Sequence, residues 1–267
     1  MSRRVFIGGA LTTAGLAGCG GAGETGAGSP RSPVGTGGAS GAPGDQQPDR
    51  SANTAPHTAP ATANEPHTDL VHGPRTRQAV ALTFHGAGDP ALTRTALAHA
   101  RAAQAYFTVM AVGTWLAQNP GLAPEILAGG HDLGNHTWSH LTMTRLSAAK
   151  ARREVADAAA LLTRLTGSPG RWFRPSGTPR STPVIRGAAA AVGYHRCLAY
   201  DVDPLDYTDP GSAAVTARVL QSVRRGSIVS LHLGHAGTVA ALPDILTGLR
   251  QRGLDAVTVS QLVTGAA

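Results

Sequence analysis

The sequence predicts an α/β protein whose parallel strands close, or nearly close, into a barrel. Three observations carry this. From Pro74 onward, short apolar strand-like runs alternate with helix-like stretches, the pattern of β/α units in a parallel sheet. About seven such units fit into roughly 190 residues, which favours a barrel over the alternative, an open doubly wound sheet. Ionisable residues collect just after the strand-like runs, where a β/α barrel carries its functional groups.

The rest of the chain reads as a leader and a tail. The protein has 267 residues, and its 34 Gly and 18 Pro crowd before residue 75, so one domain behind a long tail fits better than two domains. Residues 1–19 read as an export signal. Ser2-Arg3-Arg4-Val5-Phe6-Ile7 has twin-arginine character, and the apolar run from Ile7 to Ala17 is too short to span a bilayer. The run ends in Leu16-Ala17-Gly18-Cys19, which resembles a lipobox. Cys19 is therefore expected to carry lipid and anchor the exported chain to the outer face of a membrane; a plain signal peptide with an incidental Cys19 is the alternative. Residues 20–73 hold too few large apolar side chains to offset the entropy of ordering, and read as a disordered tether with His57, His67 and His72 solvated. The net charge of +7 comes from scattered arginines, with Lys150 the single lysine. No aromatic-interleaved basic patch accompanies them, so nucleic acid is not an expected partner, whereas an anionic cell wall or membrane face is compatible. Cys19 and Cys197 stand in such different contexts that no disulfide is expected.

The folded domain is expected over residues 74–267. Gln78 to Phe84 reads as a buried strand, Leu92 to Ala105 as an Ala-rich helix, and Tyr106 to Met110 as a strand. Thr114 to Ala128 is helical with a break near Pro120, and His131 to Asn135 is a short strand. Ser147 to Thr166 is the best helix, with Ser147 as cap and Leu161, Leu162 and Leu165 on its apolar face. Trp172 to Arg174 reads as a strand end, Thr182 to Ala191 as a helix, Tyr194 to Tyr200 as a strand and Ala213 to Val223 as a helix. Ser227 to Leu231 is a strand, Val239 to Arg252 a helix, and Ala256 to Val259 the last strand.

The stretch Gly134-Asn135-His136-Thr137-Trp138-Ser139-His140 carries the first chemical signal. Two neutral imidazoles four residues apart can offer nitrogens to one Zn²⁺-like ion at about 2.0–2.1 Å, although two surface histidines on a helix look the same. Further ligands or acid–base groups must come from other strand ends. Those ends supply His85-Gly86-Ala87-Gly88-Asp89-Pro90, then Arg174, then Asp201 through Tyr207, then His232-Leu233-Gly234-His235. Histidines, carboxylates and an arginine converging on one mouth point to a metal-assisted hydrolase.

With those residues in view, the chain from about Gln78 to its end resembles the polysaccharide deacetylase, or NodB-homology, family. Thr83-Phe84 stands where the family's T-F-D-D-G motif begins, and His136 through His140 is similar to its H-S/T-x-x-H metal motif. Phe173-Arg174-Pro175, Asp203-Pro204-Leu205-Asp206-Tyr207 and Leu231-His232 are similar to its R-P, D-x-x-D-W/Y and L-x-H motifs. The resemblance implies a distorted β/α barrel, a divalent metal, usually Zn²⁺, and removal of N-acetyl groups from N-acetylglucosamine polymers such as chitin and peptidoglycan.

The first motif departs from the family. His85-Gly86 stands where the family has two aspartates, a base and a metal ligand. Asp89 could supply the carboxylate ligand, helped by the flexible Gly86 and Gly88. His85 could itself be the third ligand of a three-histidine site. Or His85 could be the general base while His136, His140 and Asp89 hold the metal, which is the working assignment. A degenerate site without metal or activity is the remaining option, and would leave a glycan-binding protein; a hydrolase of another amide or ester is a further one.

The resemblance gives the other residues their expected roles. His232 is the general acid toward the leaving amine, Arg174 orients the base, and Asp203 or Asp206 steadies His232. Trp138 and Tyr207 are expected as walls of the sugar groove, with packing the alternative for each. His235 is a neighbour, and His131 and His195 are structural or solvated. Cys197 is expected as a buried free thiol. Export and anchoring make cell-wall polysaccharide the expected partner.

Overall fold

The computed structural model describes residues 69–264. The export signal, Cys19, His57 and His67 lie outside the described residues. Among the described residues no helix is long and apolar enough to cross a membrane.

Strand β1 (Ala79–Gly86) is the centre of the sheet, because its alternate residues are apolar on both faces. Val80, Leu82 and Phe84 face the helical layer and join the main core cluster. Ala79 and Ala81 face the other way, into a cluster with Met110, Trp172, Leu198 and Ile228. That second cluster is the barrel interior, and the period of two carries Thr83 and His85 to the same side. Strand β2 (Thr108–Ala111) pairs with β1 in parallel, and β3 (Asp132–Asn135) with β2. Strand β4 (Ile228–His232) flanks β1 on the other edge, with His232 opposite His85. The short β5 (Asp255–Ala256) pairs with the start of β1, and Ala256 O accepts from Tyr106 N, so it wedges between the bases of β1 and β2.

Two segments close the ring with single bridges only. Phe173 bridges Asn135 on one side and Cys197 on the other, and Val202 bridges Val229 of β4. The circuit is therefore β1, β2, β3, residue 173, residues 197–202, β4 and back to β1. Two members lack a continuous ladder, and this is the distortion of the barrel.

Helices fill the connections: α1 (Pro90–Ala102), α2 (Gly113–Gln118), α3 (Leu122–Ala128), α4 (Ala148–Thr166), α5 (Pro183–Ala190), α6 (Ser212–Ser222) and α7 (Ala236–Gln251). Ser147 caps α4 by accepting from Lys150 N, and Gly167 ends it at φ 79°, a left-handed turn that favours glycine. The expected break near Pro120 separates α2 from α3.

Two expectations are corrected. The last strand is only β5, and a helix α8 (Val259–Thr264) follows where a strand was expected to run to Val259. The β-branched run hid a capping box: Gln261 N donates to Thr258 Oγ1 while Thr258 N donates to Gln261 Oε1. The tether boundary is also not at residue 73. Leu70 is buried with Val259 and Leu262, its backbone bonds Cys197 O and Ala199 N, and Gly73 N donates to Gly226 O. His72, half-buried, bridges Ser227 rather than standing in solvent. Residues 69–73 are a strap across the base of the barrel, because Leu70 completes its apolar floor.

Candidate active site

His85, His136 and His140 meet at the C-terminal mouth of the barrel, with one ring nitrogen from each lying within 4.8 Å of the others. His85 arrives by strand alternation. The other two ride on the loop after β3, whose shape is enforced by neighbouring side chains. Asn135 accepts from Thr137 N at 2.8 Å and donates to Val155 O of α4 at 2.9 Å. Thr137 and His140 sit at φ 67° and 58°, a left-handed backbone that side chains of this kind seldom adopt. Thr137 Oγ1 bonds Ser176 Oγ, and the Glu154 carboxylate accepts from Ser139 N at 2.8 Å and Ser139 Oγ at 2.5 Å. Glu154 is 7% exposed on the apolar face of α4 beside Ala151 and Val155. Sequence reading missed this brace; a carboxylate on a buried helical face was the available signal.

The donor set suits a borderline-soft divalent ion. His136 Nδ1 lies 2.9 Å from Arg174 O, and a carbonyl only accepts, so Nδ1 carries the hydrogen and Nε2 the lone pair. That Nε2 faces His140 Nε2 at 3.1 Å. Two ligands of a tetrahedral ion at 2.0–2.1 Å would stand about 3.3 Å apart. His85 Nδ1 is buried with no hydrogen-bond partner. Burial, then the neighbouring histidines, pushes His85 and His136 well below the usual imidazole range, and burial lowers His140. Neutral imidazoles are the form that binds metal.

Beside this cluster, the His232 ring centroid is 4.3 Å from that of His85. His232 Nδ1–H donates to Asp206 Oδ1 at 2.8 Å, which leaves Nε2 free on the far edge of the ring. Asp206 is fully buried and also accepts from His232 N and Thr238 Oγ1. Tyr207 stands at the mouth, 45% exposed and edge-on to His232.

Residues 72–196 match the polysaccharide deacetylase family model. A peptidoglycan-N-acetylglucosamine deacetylase of Bacillus cereus is 33% identical over 194 residues, covering 71% of this chain and 90% of that protein. This chain belongs to the polysaccharide deacetylase family. A peptidoglycan-N-acetylmuramic acid deacetylase of Bacillus subtilis is 26% identical over 186 residues, which is 70% of this chain but only 39% of that one. The fold of a CE4-family pseudoenzyme from Bacillus anthracis superposes with a TM-score of 0.69 over 74% of this chain and 69% of that one, at 22% identity.

Within this member of the family the departures from the expected site are specific. Asp89 is not brought to the histidines. It is exposed at the start of α1, and its Oδ1 caps the helix by accepting from Ala91 N at 2.8 Å. The nearby group is His85, so the structure favours the three-histidine arrangement over the assignment with Asp89 as ligand. Gly86 points outward, by the same alternation that points His85 in. A Cβ at Gly86 would lie 2.9 Å from the Trp115 ring and 3.1 Å from Ala111 Cα. Trp115 in turn donates Nε1–H to Gly88 O at 2.8 Å and so fastens the turn after β1. Sequence reading did not single out Trp115, because nothing local links it to Gly86.

Arg174 is fully buried; its Nε and Nη2 donate to Leu198 O and Ala199 O, but Nη1 has no partner. Burial lowers its pKa to about 10. Asp203 does not reach His232: it accepts from Leu205 N, and burial raises its pKa. Of the two carboxylates it is Asp206 that holds the imidazole. Trp138, expected as a groove wall, is half-buried and packs against Gly113 at the start of α2, where a Cβ would lie 2.5 Å from its ring. His235 pairs with Asp209. His195 is exposed, and Cys197 is a buried free thiol whose pKa burial pushes up to about 12.

Proposed function

We propose that this chain is an exported, metal-dependent deacetylase that removes N-acetyl groups from N-acetylglucosamine-containing cell-wall polysaccharide, with peptidoglycan the favoured polymer. The observation that carries the reading is the meeting of His85, His136 and His140 beside a His232 fixed by Asp206. His136, His140 and His85 would hold the ion, and Zn²⁺ suits three imidazoles better than Mg²⁺ or Ca²⁺. Bound there, it supplies Lewis acidity toward the acetyl carbonyl and lowers the pKa of water. The remaining work falls to the chain. Asp206 keeps the His232 Nδ1 hydrogen in place, so Nε2 is the atom that would take the proton given up by the attacking water and deliver it to the departing sugar nitrogen, the base role moving from His85 to His232. Tyr207 offers an exposed ring beside the reacting group for a sugar face. The name of the Bacillus cereus relative supports an N-acetylglucosamine unit as substrate. The twin-arginine-like start, Cys19 and the Gly- and Pro-rich residues 20–68 support export, a lipid anchor and a reach toward the wall.

One observation favours a second reading. His85 stands where the family carries a carboxylate, and Arg174 Nη1 and His85 Nδ1 are both left without partners. A glycan-binding protein that lost the chemistry would show this too. Elemental analysis with an acetate-release assay on N-acetylglucosamine oligomers and on peptidoglycan separates the two. About one ion per chain, lost in His136→Ala together with acetate release, supports the deacetylase. A chain free of metal under zinc-replete conditions, and releasing no acetate, sinks it in favour of the binding protein.

A further inference from the structure

A groove of about 730 Å³ lies between α1 and α3. It opens near the starts of β2 and β3, the end of the barrel opposite the histidine mouth. On its floor is His131, only 6% exposed. Phe107 N–H donates to His131 Nδ1 at 2.9 Å, so in the neutral ring Nε2 carries the hydrogen. Burial and the Arg101 charge lower the His131 pKa, which keeps the ring neutral. No acceptor among the described residues takes the Nε2 hydrogen. That edge opens onto Gly129, where a Cβ would stand 2.9 Å from Nε2. The rim adds one free cation and one aromatic face. Arg101 makes no ion pair among the described residues, whereas Arg94, on the same wall of the groove in α1, is held by Glu125 of α3 at 2.8 and 2.9 Å. Tyr106 is 39% exposed and lines the same groove. The nearby Asp132 carboxylate is engaged by Ser260 N and Thr108 Oγ1.

We propose that this groove is a second binding site, for a sugar that carries a carboxylate. The carboxylate accepts from His131 Nε2 and Arg101, and the ring face rests on Tyr106. The site shares no residue with the histidine cluster and does not depend on the chemistry proposed there.

The test is a ¹H–¹⁵N NMR titration of the full-length chain with N-acetylmuramic acid, N-acetylglucosamine and D-lactate. These probes carry ring plus carboxylate, ring alone and carboxylate alone. Saturable shifts of the Tyr106, Gly129 and Gly130 amides with N-acetylmuramic acid only are the expected result. Arg101→Ala, at an exposed residue, weakens this binding about tenfold, the loss of one charge-assisted hydrogen bond. Gly129→Ala, at a φ of −76° that alanine adopts, plugs the floor and abolishes it. An equal response to either fragment probe, no response at all, or unchanged binding by Arg101→Ala overturns the proposal. Because the readout is binding, an inactive histidine site leaves the result intact.

Discussion

His232 and Asp206 form one fixed unit. Nδ1–H donates to Oδ1 at 2.8 Å, while Oδ2 takes the His232 backbone N–H at 2.8 Å and the Thr238 hydroxyl at 2.7 Å. All three bonds need an acceptor, and an amide offers one oxygen in place of two. Asp206→Asn therefore turns an NH₂ toward a donor. We expect kcat to fall by about 10²–10⁴ as the imidazole loses its tautomer and aim. Metal content should not change. Steady-state kinetics beside elemental analysis checks both, and loss of the metal would show that Asp206 supports the ligands instead.

The ligand set makes a sharp contrast between two residues four positions apart in sequence. His85→Ala should strip the metal as His136→Ala and His140→Ala do, since a three-ligand site rarely survives the loss of one. Asp89→Ala should keep the metal and lower stability by about 1 kcal/mol through loss of a helix cap. Metal analysis and urea melts read the two effects separately. A metal-free Asp89→Ala protein would restore Asp89 as the ligand.

Restoring the family's second carboxylate should fail for a steric reason. Gly86 faces Trp115, Ala111 and Val109, so Gly86→Asp drives a charge into the layer between sheet and helix. We expect a loss of about 1–3 kcal/mol from overpacking, more if the charge stays unpaired, and no gain in metal affinity. Denaturant melts with zinc titration measure this.

The pH dependence of stability has a component assignable to His131. Its folded pKa lies below the ordinary imidazole value, because burial disfavours the cation. Between the two values the unfolded chain binds the proton and the folded chain does not. Stability is therefore full above about pH 6.5 and falls as pH drops toward the folded pKa. His131→Asn keeps an acceptor for Phe107 N–H and removes the titration. Melts across pH 7.5 to 5, values chosen to bracket about 6.5, should show a shallower acid loss in the variant. An unchanged slope would assign the loss to other groups, the mouth histidines first.

Much of this architecture was legible because it is written locally. Alternating apolar runs gave the order of strands and helices, Ser147 marked the start of α4, and strand ends marked the mouth. The histidine pair and His232 were visible as residue types in positions that a barrel uses. What stayed hidden depends on contacts distant in sequence. Gly86 with Trp115, Ser139 with Glu154, and Asp89 turned toward its own helix rather than the mouth leave no periodic trace. The Phe173 and Cys197–Val202 segments make single bridges, so even their strand character depends on neighbours.

The strap across the base sets the order of assembly. A Cβ on Gly73 would stand 2.6 Å from Leu262 Cγ, and Leu70 shares its apolar cluster with Val259 and Leu262. The first and last described segments thus meet on the floor of one barrel. During synthesis Leu70 can meet Leu198 before the chain is finished, but its apolar surroundings are complete only once Val259 and Leu262 have been made, so the floor of the barrel is sealed after the ring of strands.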